Sequence, residues 1–119
     1  MTALVDTSVL VGSPAPELDE PWVISVVSVG ELHAGVLLAA DPVVRARRLQ
    51  RLTAVLAEAP IVAIEPIAAS RYGELRAATG RQPANDLWIA ATALARDFTL
   101  VTADESLASL PLVRVTLVR

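Results

Sequence analysis

Four carboxylates stand where a predicted strand ends or a predicted helix begins, the usual position of a site in an α/β protein. Asp6 ends the first strand, and Asp104 follows the strand that ends at Thr102. Glu31 and Asp86 lie in the first turns of two helices. Because strand ends and the following helix starts share one edge of a parallel sheet, we expect these acids to converge on one crevice.

Carboxylates gathered in a crevice of low dielectric repel one another, which raises their pKa values and makes their desolvation hard to sustain. A divalent cation compensates for that repulsion, and oxygen-only ligands favour Mg²⁺ or Mn²⁺. Such sites generate a hydroxide and stabilise an in-line phosphoryl transition state. The four acids therefore point to the chemistry of nucleases and phosphatases.

The elements that position these acids follow an alternating pattern. Short β-branched runs predict strands at Ala3–Val5, Trp22–Ser25, Ile61–Ile64, Thr99–Thr102 and Val113–Val118. Alanine- and leucine-rich stretches predict helices at Glu31–Ala40, Val43–Ala57, Ile67–Ala78 and Asp86–Arg96. Strands that alternate with helices and are almost continuously apolar indicate an α/β fold, with a parallel sheet covered by helices on both faces.

Each acid also has a purely structural explanation. Asp6 has the position of a helix N-cap, and Ser28 with Glu31 has the form of a capping box. Asp86 complements the positive end of its helix. That helix is apolar on nearly every face, however, so we expect it and the acid at its start to be buried.

Composition excludes several other chemistries. The chain has 119 residues, which is one domain over 1–119, and 54% of them are hydrophobic. It has no cysteine and a single histidine, which excludes thiolate metal sites and multi-histidine sites within one chain. All 10 basic residues are arginines, so no P-loop lysine is present. The net charge of −3 argues against a general nucleic-acid coat protein.

The amino-terminal residues do not have the form of a signal peptide. No uncharged apolar run approaches the ~20 residues that span a bilayer. The expectation is a soluble cytoplasmic protein without membrane contact.

Four segments in order carry a resemblance to a known family, and they cover essentially the whole chain. They are Leu4–Leu10 (LVDTSVL), Ser28–Leu32 (SVGEL), Asn85–Leu94 (NDLWIAATAL) and Leu100–Asp104 (LVTAD). Each motif alone is weak, but their order and spacing resemble the PIN-domain ribonucleases, specifically the VapC toxins of bacterial type II toxin–antitoxin pairs.

The resemblance implies a PIN-like α/β/α sandwich with a mainly parallel central sheet, and an Mg²⁺- or Mn²⁺-dependent endoribonuclease. The implied catalytic residues are Asp6, Glu31, Asp86 and Asp104. Asp6 and Asp86 would ligate the metal directly or through water, and Glu31 would act through water or accept a proton. Asp104 would contribute to a second metal or to the electrostatics.

Ser8 and Thr102 match hydroxyl positions that hold these acids by hydrogen bonds, although turn and cap polarity explains them equally well. The resemblance further implies products with 3′-hydroxyl and 5′-phosphate ends. It implies an RNA substrate, a VapB-type antitoxin, a homodimer and a toxin–antitoxin hetero-oligomer. It leaves open the RNA target and whether one or two metal ions bind.

Arginine is densest at Arg45, Arg47, Arg48 and Arg51. This strip is interpreted as a binding surface for RNA phosphates or as an ordinary solvated helix face. The same helix and the one before it are rich in apolar residues, which suggests a groove for a partner or ordinary packing on the sheet.

The remaining chemistry-bearing residues are expected to serve structure. His33 lies two positions after Glu31, roughly 200° around the helix, and so faces away from the acids. Trp22 and Trp88 lie in apolar runs and are interpreted as core or interface residues.

Two alternatives to a nuclease remain. One is a catalytically inactive PIN-fold module that binds a protein, with the acids acting only as caps. The other is a metal phosphatase that acts on small phosphate esters. Replacing Asp6 by Asn separates capping from catalysis, because asparagine caps a helix about as well as aspartate.

Overall fold

The computed structural model describes residues 1–11 and 18–118, and these form an α/β sandwich. The strands are β1 (Ala3–Val5), β2 (Trp22–Ser25), β3 (Ile61–Val62), β4 (Thr99–Thr102) and β5 (Val115–Leu117). The helices are α1 (Thr7–Leu10), α2 (Val26–Leu38), α3 (Pro42–Glu58), α4 (Pro66–Thr79), α5 (Ala84–Arg96) and α6 (Glu105–Ala108).

The strands form one sheet in the order β3-β2-β1-β4-β5, and every pairing is parallel. The central strand β1 pairs with β2 on one side and with β4 on the other, with Leu4 opposite both Val23 and Leu100. The chain first builds outward from β1 to β3 and then returns to the other side of β1. Strand order therefore reverses at β1, where a crevice opens in folds of this kind.

Alternate residues of β1, β2 and β4 serve two separate cores. On one face, Val5, Ile24 and Val101 pack with buried residues of α1, α2 and α3. On the other face, Leu4 and Leu100 pack with buried residues of α5 and α6, together with Leu75 of α4. Burial on both faces explains why the strands are continuously apolar in sequence.

Helix α5 is the most deeply buried helix segment, as its sequence predicted. Its residues Leu87 and Ile89 to Ala91 are completely buried. The helix lies between the sheet and α4, and Trp88 stacks on Tyr72 of α4 with ring centroids 4.2 Å apart. Trp88 thus has the structural role that was expected for it. Trp22 packs against the other core.

The predicted fold class is confirmed, but some boundaries were wrong. Helix α2 begins at Val26, because Ser25 at the end of β2 is its N-cap and its hydroxyl accepts from the backbone of Val27. Ser28 therefore lies inside the helix and is not the start of a capping box. The short helices α1 and α6 were not among the predicted helices, since each has only 4 residues.

Within residues 1–11 and 18–118, no helix combines the length and hydropathy that a membrane span requires.

Candidate active site

Asp6 lies directly after β1, and its carboxylate is held by two hydroxyl groups. The side chain is only 3% exposed. Its Oδ2 atom accepts from Ser8 Oγ at 2.6 Å and from Thr102 Oγ1 at 2.9 Å. The two hydroxyls in turn accept from backbone N–H groups, those of Ala103 and Asp104, each at 3.0 Å. This chain of bonds from the backbone to Oδ2, which we call the Asp6 socket, holds the carboxylate in place.

The socket joins the ends of the two central strands. Asp6 follows β1 and Thr102 ends β4, which are neighbours in the sheet. The backbone N–H of Asp6 also donates to Val101 O at 2.8 Å. None of the hydrogen bonds among the described residues uses the other oxygen of Asp6, Oδ1, which leaves it available for a further ligand.

Glu31 lies in the second turn of α2 and is partly buried. Its Oε1 atom is 2.7 Å from Thr7 Oγ1, and the same hydroxyl is 2.8 Å from Ser28 Oγ. Thr7 belongs to α1, so this contact ties the acid of one helix to the start of another. Thr7 and Ser28 are site residues that sequence reasoning missed in this role. The available signal was that Thr7 follows Asp6 directly and that Ser28 lies one helical turn before Glu31.

Asp86 lies in the first turn of α5 and is the acid whose pKa is displaced. Burial, and then the charges of Asp6, Asp104 and Glu31, raise the pKa of Asp86 from 3.8 to about 6. A contribution from all three neighbours means that the four acids share one electrostatic environment. The structure thus brings Asp86 within electrostatic reach of Asp6, Asp104 and Glu31.

Asp104 completes the quartet from the β4–α6 turn. It is the N-cap of α6, and its Oδ1 atom accepts from the backbone and the hydroxyl of Ser106 at 2.9 and 2.8 Å. Asp6 likewise caps α1, with a longer bond of 3.4 Å from the backbone of Ser8. The structural explanation therefore holds for these two acids. Asp86 also lies in the first turn of α5, where its charge complements the positive end of the helix, but it is not a cap, because Pro83 is at the N-cap position and no side chain caps this helix.

The chemistry of this donor set fits a hard divalent cation. All four groups are carboxylates, and their mutual repulsion is the kind that a cation relieves. In the described parts of the chain, no three carboxylate or imidazole groups are gathered tightly enough to hold one ion by themselves. Mg²⁺ does not require this, because it commonly keeps several waters and takes only one or two carboxylates.

The four arginines of α3 have different environments. Arg45 donates to the carbonyls of Ala39 and Leu37 at the end of α2, both at 3.2 Å. Arg48 donates to Gly35 O at 2.7 Å. Arg45 thus serves the α2–α3 connection rather than a ligand. The other two arginines, Arg47 and Arg51, form no hydrogen bond with any described residue.

His33 is exposed, as expected for a residue that faces away from the acids.

Comparisons with known proteins agree with this fold. The family model described as PIN domain matches residues 3–112. The chain is 40% identical over 122 residues to Ribonuclease VapC4 of Mycobacterium tuberculosis (strain ATCC 25618 / H37Rv), covering 95% of this chain and 94% of that protein. It is 37% identical over 117 residues to Ribonuclease VapC5 of the same strain, covering 90% and 86%. Among solved structures, a chain of VapBC-5 from Mycobacterium tuberculosis, a member of the VapBC family of toxin-antitoxin systems, matches with a TM-score of 0.79, 33% identity and 98% coverage of each chain.

Proposed function

Because the chain belongs to the PIN domain family, we propose that it is a metal-dependent endoribonuclease that acts as the toxin of a toxin–antitoxin pair. The observation that carries the proposal is the Asp6 socket after β1, where strand order reverses, with Asp86 close enough to the other three acids for their charges to contribute to its raised pKa. Four segments far apart in sequence supply these carboxylates, and Asp6 follows β1, the strand at which strand order reverses. Ribonuclease names on two relatives that match most of the chain support the choice of RNA as substrate.

In this proposal Asp6 and Asp86 would hold Mg²⁺ or Mn²⁺ directly or through water, and Asp104 would contribute through a metal-bound water or by its charge. When bound, the ion supplies a Lewis acid that activates water and stabilises the charge that develops on the phosphate. The Asp6 socket fixes one carboxylate so that Oδ1 presents a constant position. Glu31 accepts a proton from the attacking water, and Thr7 holds its carboxylate through Oε1.

The partner proposed for this chain is a VapB-type antitoxin, because the similar VapBC-5 structure belongs to a toxin–antitoxin system. We further propose a homodimer and a toxin–antitoxin hetero-oligomer, located in the cytoplasm where RNA is available.

A catalytically inactive binding module is the second candidate, and one observation favours it. Asp6 and Asp104 both accept helix-capping bonds, which is what a module without catalysis would retain. The partly buried Asp86 and the hydroxyl-bound Glu31 argue against it, since neither caps a helix.

The test compares the wild-type chain, free of antitoxin, with Asp6→Asn and Asp41→Asn on labelled RNA with Mn²⁺, and with EDTA. Asp41 is a matched control, since it is the N-cap of α3 and accepts from the backbone of Val43 at 2.8 Å in an exposed position. We expect discrete RNA fragments from wild type and Asp41→Asn, and none from Asp6→Asn or with EDTA.

Equal cleavage by both variants would contradict a catalytic role for Asp6. An absence of cleavage by folded wild-type chain on transfer, ribosomal and messenger RNA would favour the binding module. Turnover of a generic phosphomonoester in place of RNA would indicate the phosphatase.

A further inference from the structure

A cavity of about 560 Å³ lies between α2 and α3, beside the acid crevice. This volume is within the ~300–1,000 Å³ of typical ligand sites. Glu31 forms part of its wall, so the cavity borders one acid of the quartet. Arg47, Arg48 and Arg51 contribute to the opposite wall from α3.

The arginines give this cavity a positive side in a chain of net charge −3. Arg48 is fixed by its bond to Gly35 O. Arg47 and Arg51 are four residues apart on one helix face, and neither forms an ion pair or hydrogen bond with any described residue. Glu31 also lines the cavity but forms no ion pair with a described residue, so three arginines face one carboxylate there. Like charges gathered at one cavity favour an anionic ligand.

We propose that this cavity is a subsite for an RNA backbone phosphate next to the bond that is cleaved, with Arg47 and Arg51 as its ligands. The proposal rests on the proposed ribonuclease function. A single strand with its scissile phosphate at the acids passes Glu31 and enters the cavity, because that residue borders both spaces. The arginines then offset the repulsion between the acids and the negatively charged substrate.

The chemistry of the walls predicts that the subsite binds RNA without selecting its sequence. The non-arginine wall includes Leu32 and Val44, and no described aromatic side chain contributes to it. Base stacking on aromatic rings is therefore absent there. Contacts between arginine and phosphate position a strand without carrying sequence information.

The experiment measures the affinity of single-stranded RNA as a function of salt concentration, in an Asp6→Asn background that binds without cutting. We expect Arg47→Gln and Arg51→Gln each to reduce the slope of log K against log salt by about 0.7, because each phosphate contact to a single strand contributes that amount. The reduction should be equal for polyuridine and polyadenine. Arg96→Gln is the control for loss of one positive charge away from the cavity, since Arg96 is exposed at the end of α5 opposite Asp86, where it pairs with Glu65 at 3.5 Å.

In the cleaving chain, the same two variants should raise KM with little change in kcat. Thermal melts establish that each variant is folded. If Arg51→Gln is unstable, the test can be made with Arg47→Gln alone, because Arg47 is exposed.

The subsite would be overturned if the variant carrying both Arg47→Gln and Arg51→Gln kept the salt slope of its parent. It would also be overturned if the reduction in slope only equalled that of Arg96→Gln. Either result would indicate that the arginines bind a protein partner instead. That result is distinct from failure of the proposed function, in which the wild-type chain itself cleaves no RNA.

Discussion

At the level of single residues, the site depends on hydroxyl groups that hold the acids. Ser8 and Thr102 bind Asp6, and Thr7 binds Glu31. The supporting roles given to Ser8 and Thr102 from sequence agree with these contacts. Thr7 escaped prediction because its partner lies 24 residues away on another helix, and no local pattern reports such a contact.

Thr7→Val should lower cleavage by about tenfold, because an unheld Glu31 loses part of the ~10²–10⁴ that a positioned proton acceptor supplies. Thr7→Ser keeps the hydroxyl and should retain most of the activity. The measurement is the pH profile of kcat for both variants, with thermal melts alongside. Equal losses in the valine and serine variants would show that packing of the side chain matters and the hydrogen bond does not.

Asp86 gives a pH dependence whose sign follows from its raised pKa. In the metal-free chain the folded state binds this proton more tightly than the unfolded state, whose pKa is 3.8. Protonated Asp86 therefore increases the free energy of unfolding at low pH. This increase is lost as the pH rises through about 6.

Asp86→Asn removes the charge, so without metal it should raise the Tm by a few degrees at neutral pH and leave it unchanged near pH 4. Solvent screening makes the effect smaller than the full shift implies, because Asp86 is only partly buried. Differential scanning fluorimetry across this pH range is the check, and a difference in Tm that is the same at every pH would contradict the assignment.

At the level of elements, the connection between α2 and α3 is held by arginine side chains. Helix α2 leaves its last carbonyls without helical partners, and Arg45 satisfies those of Leu37 and Ala39. The arginines of α3 look alike in sequence, but Arg45 has a structural role, whereas Arg47 and Arg51 are available to bind a ligand.

Arg45→Gln should destabilise the chain by about 1 kcal/mol, the typical contribution of an intramolecular hydrogen bond. It should leave the salt dependence of RNA binding unchanged, in contrast to Arg47→Gln. Urea denaturation measures the first effect and RNA titration the second. A reduced salt slope in the Arg45 variant would mean that its guanidinium reaches the substrate after all.

The elements show what a sequence can and cannot predict. The strands β1, β2 and β4 were predicted to the residue, because short apolar runs bounded by polar residues are unambiguous when both sheet faces are covered. The start of α2 was not, since Ser25 and Ser28 are both good N-caps. Pairing of Ser25 with Val62 in the sheet ends the strand there and selects the first serine.

At the level of the whole molecule, the acids and their cation are linked to stability. If the quartet binds Mn²⁺, the ion stabilises the folded state by about 2.7 kcal/mol at a concentration one hundred times Kd. We therefore expect a rise in Tm of the wild-type chain with millimolar Mn²⁺, and little or none for Asp86→Asn. An unchanged wild-type Tm at saturating metal would count heavily against a metal site.

The Asp6 socket also bears on the stage of synthesis and folding at which the site is completed. Asp6 and Thr102 are separated by 96 residues, so their bond closes a loop across most of the chain. Contacts of such separation form late, because the entropy of loop closure is lost before the contact is gained. A chain that grows from its amino terminus has Asp6, Glu31 and Asp86 before it has β4, and until then Ser8 is the only one of the two socket hydroxyls present. The proposed site thus stays incomplete through most of its own synthesis, because the second hydroxyl of the socket and the fourth acid are added only with residues 102 and 104, and the ribosome works beside an unfinished centre.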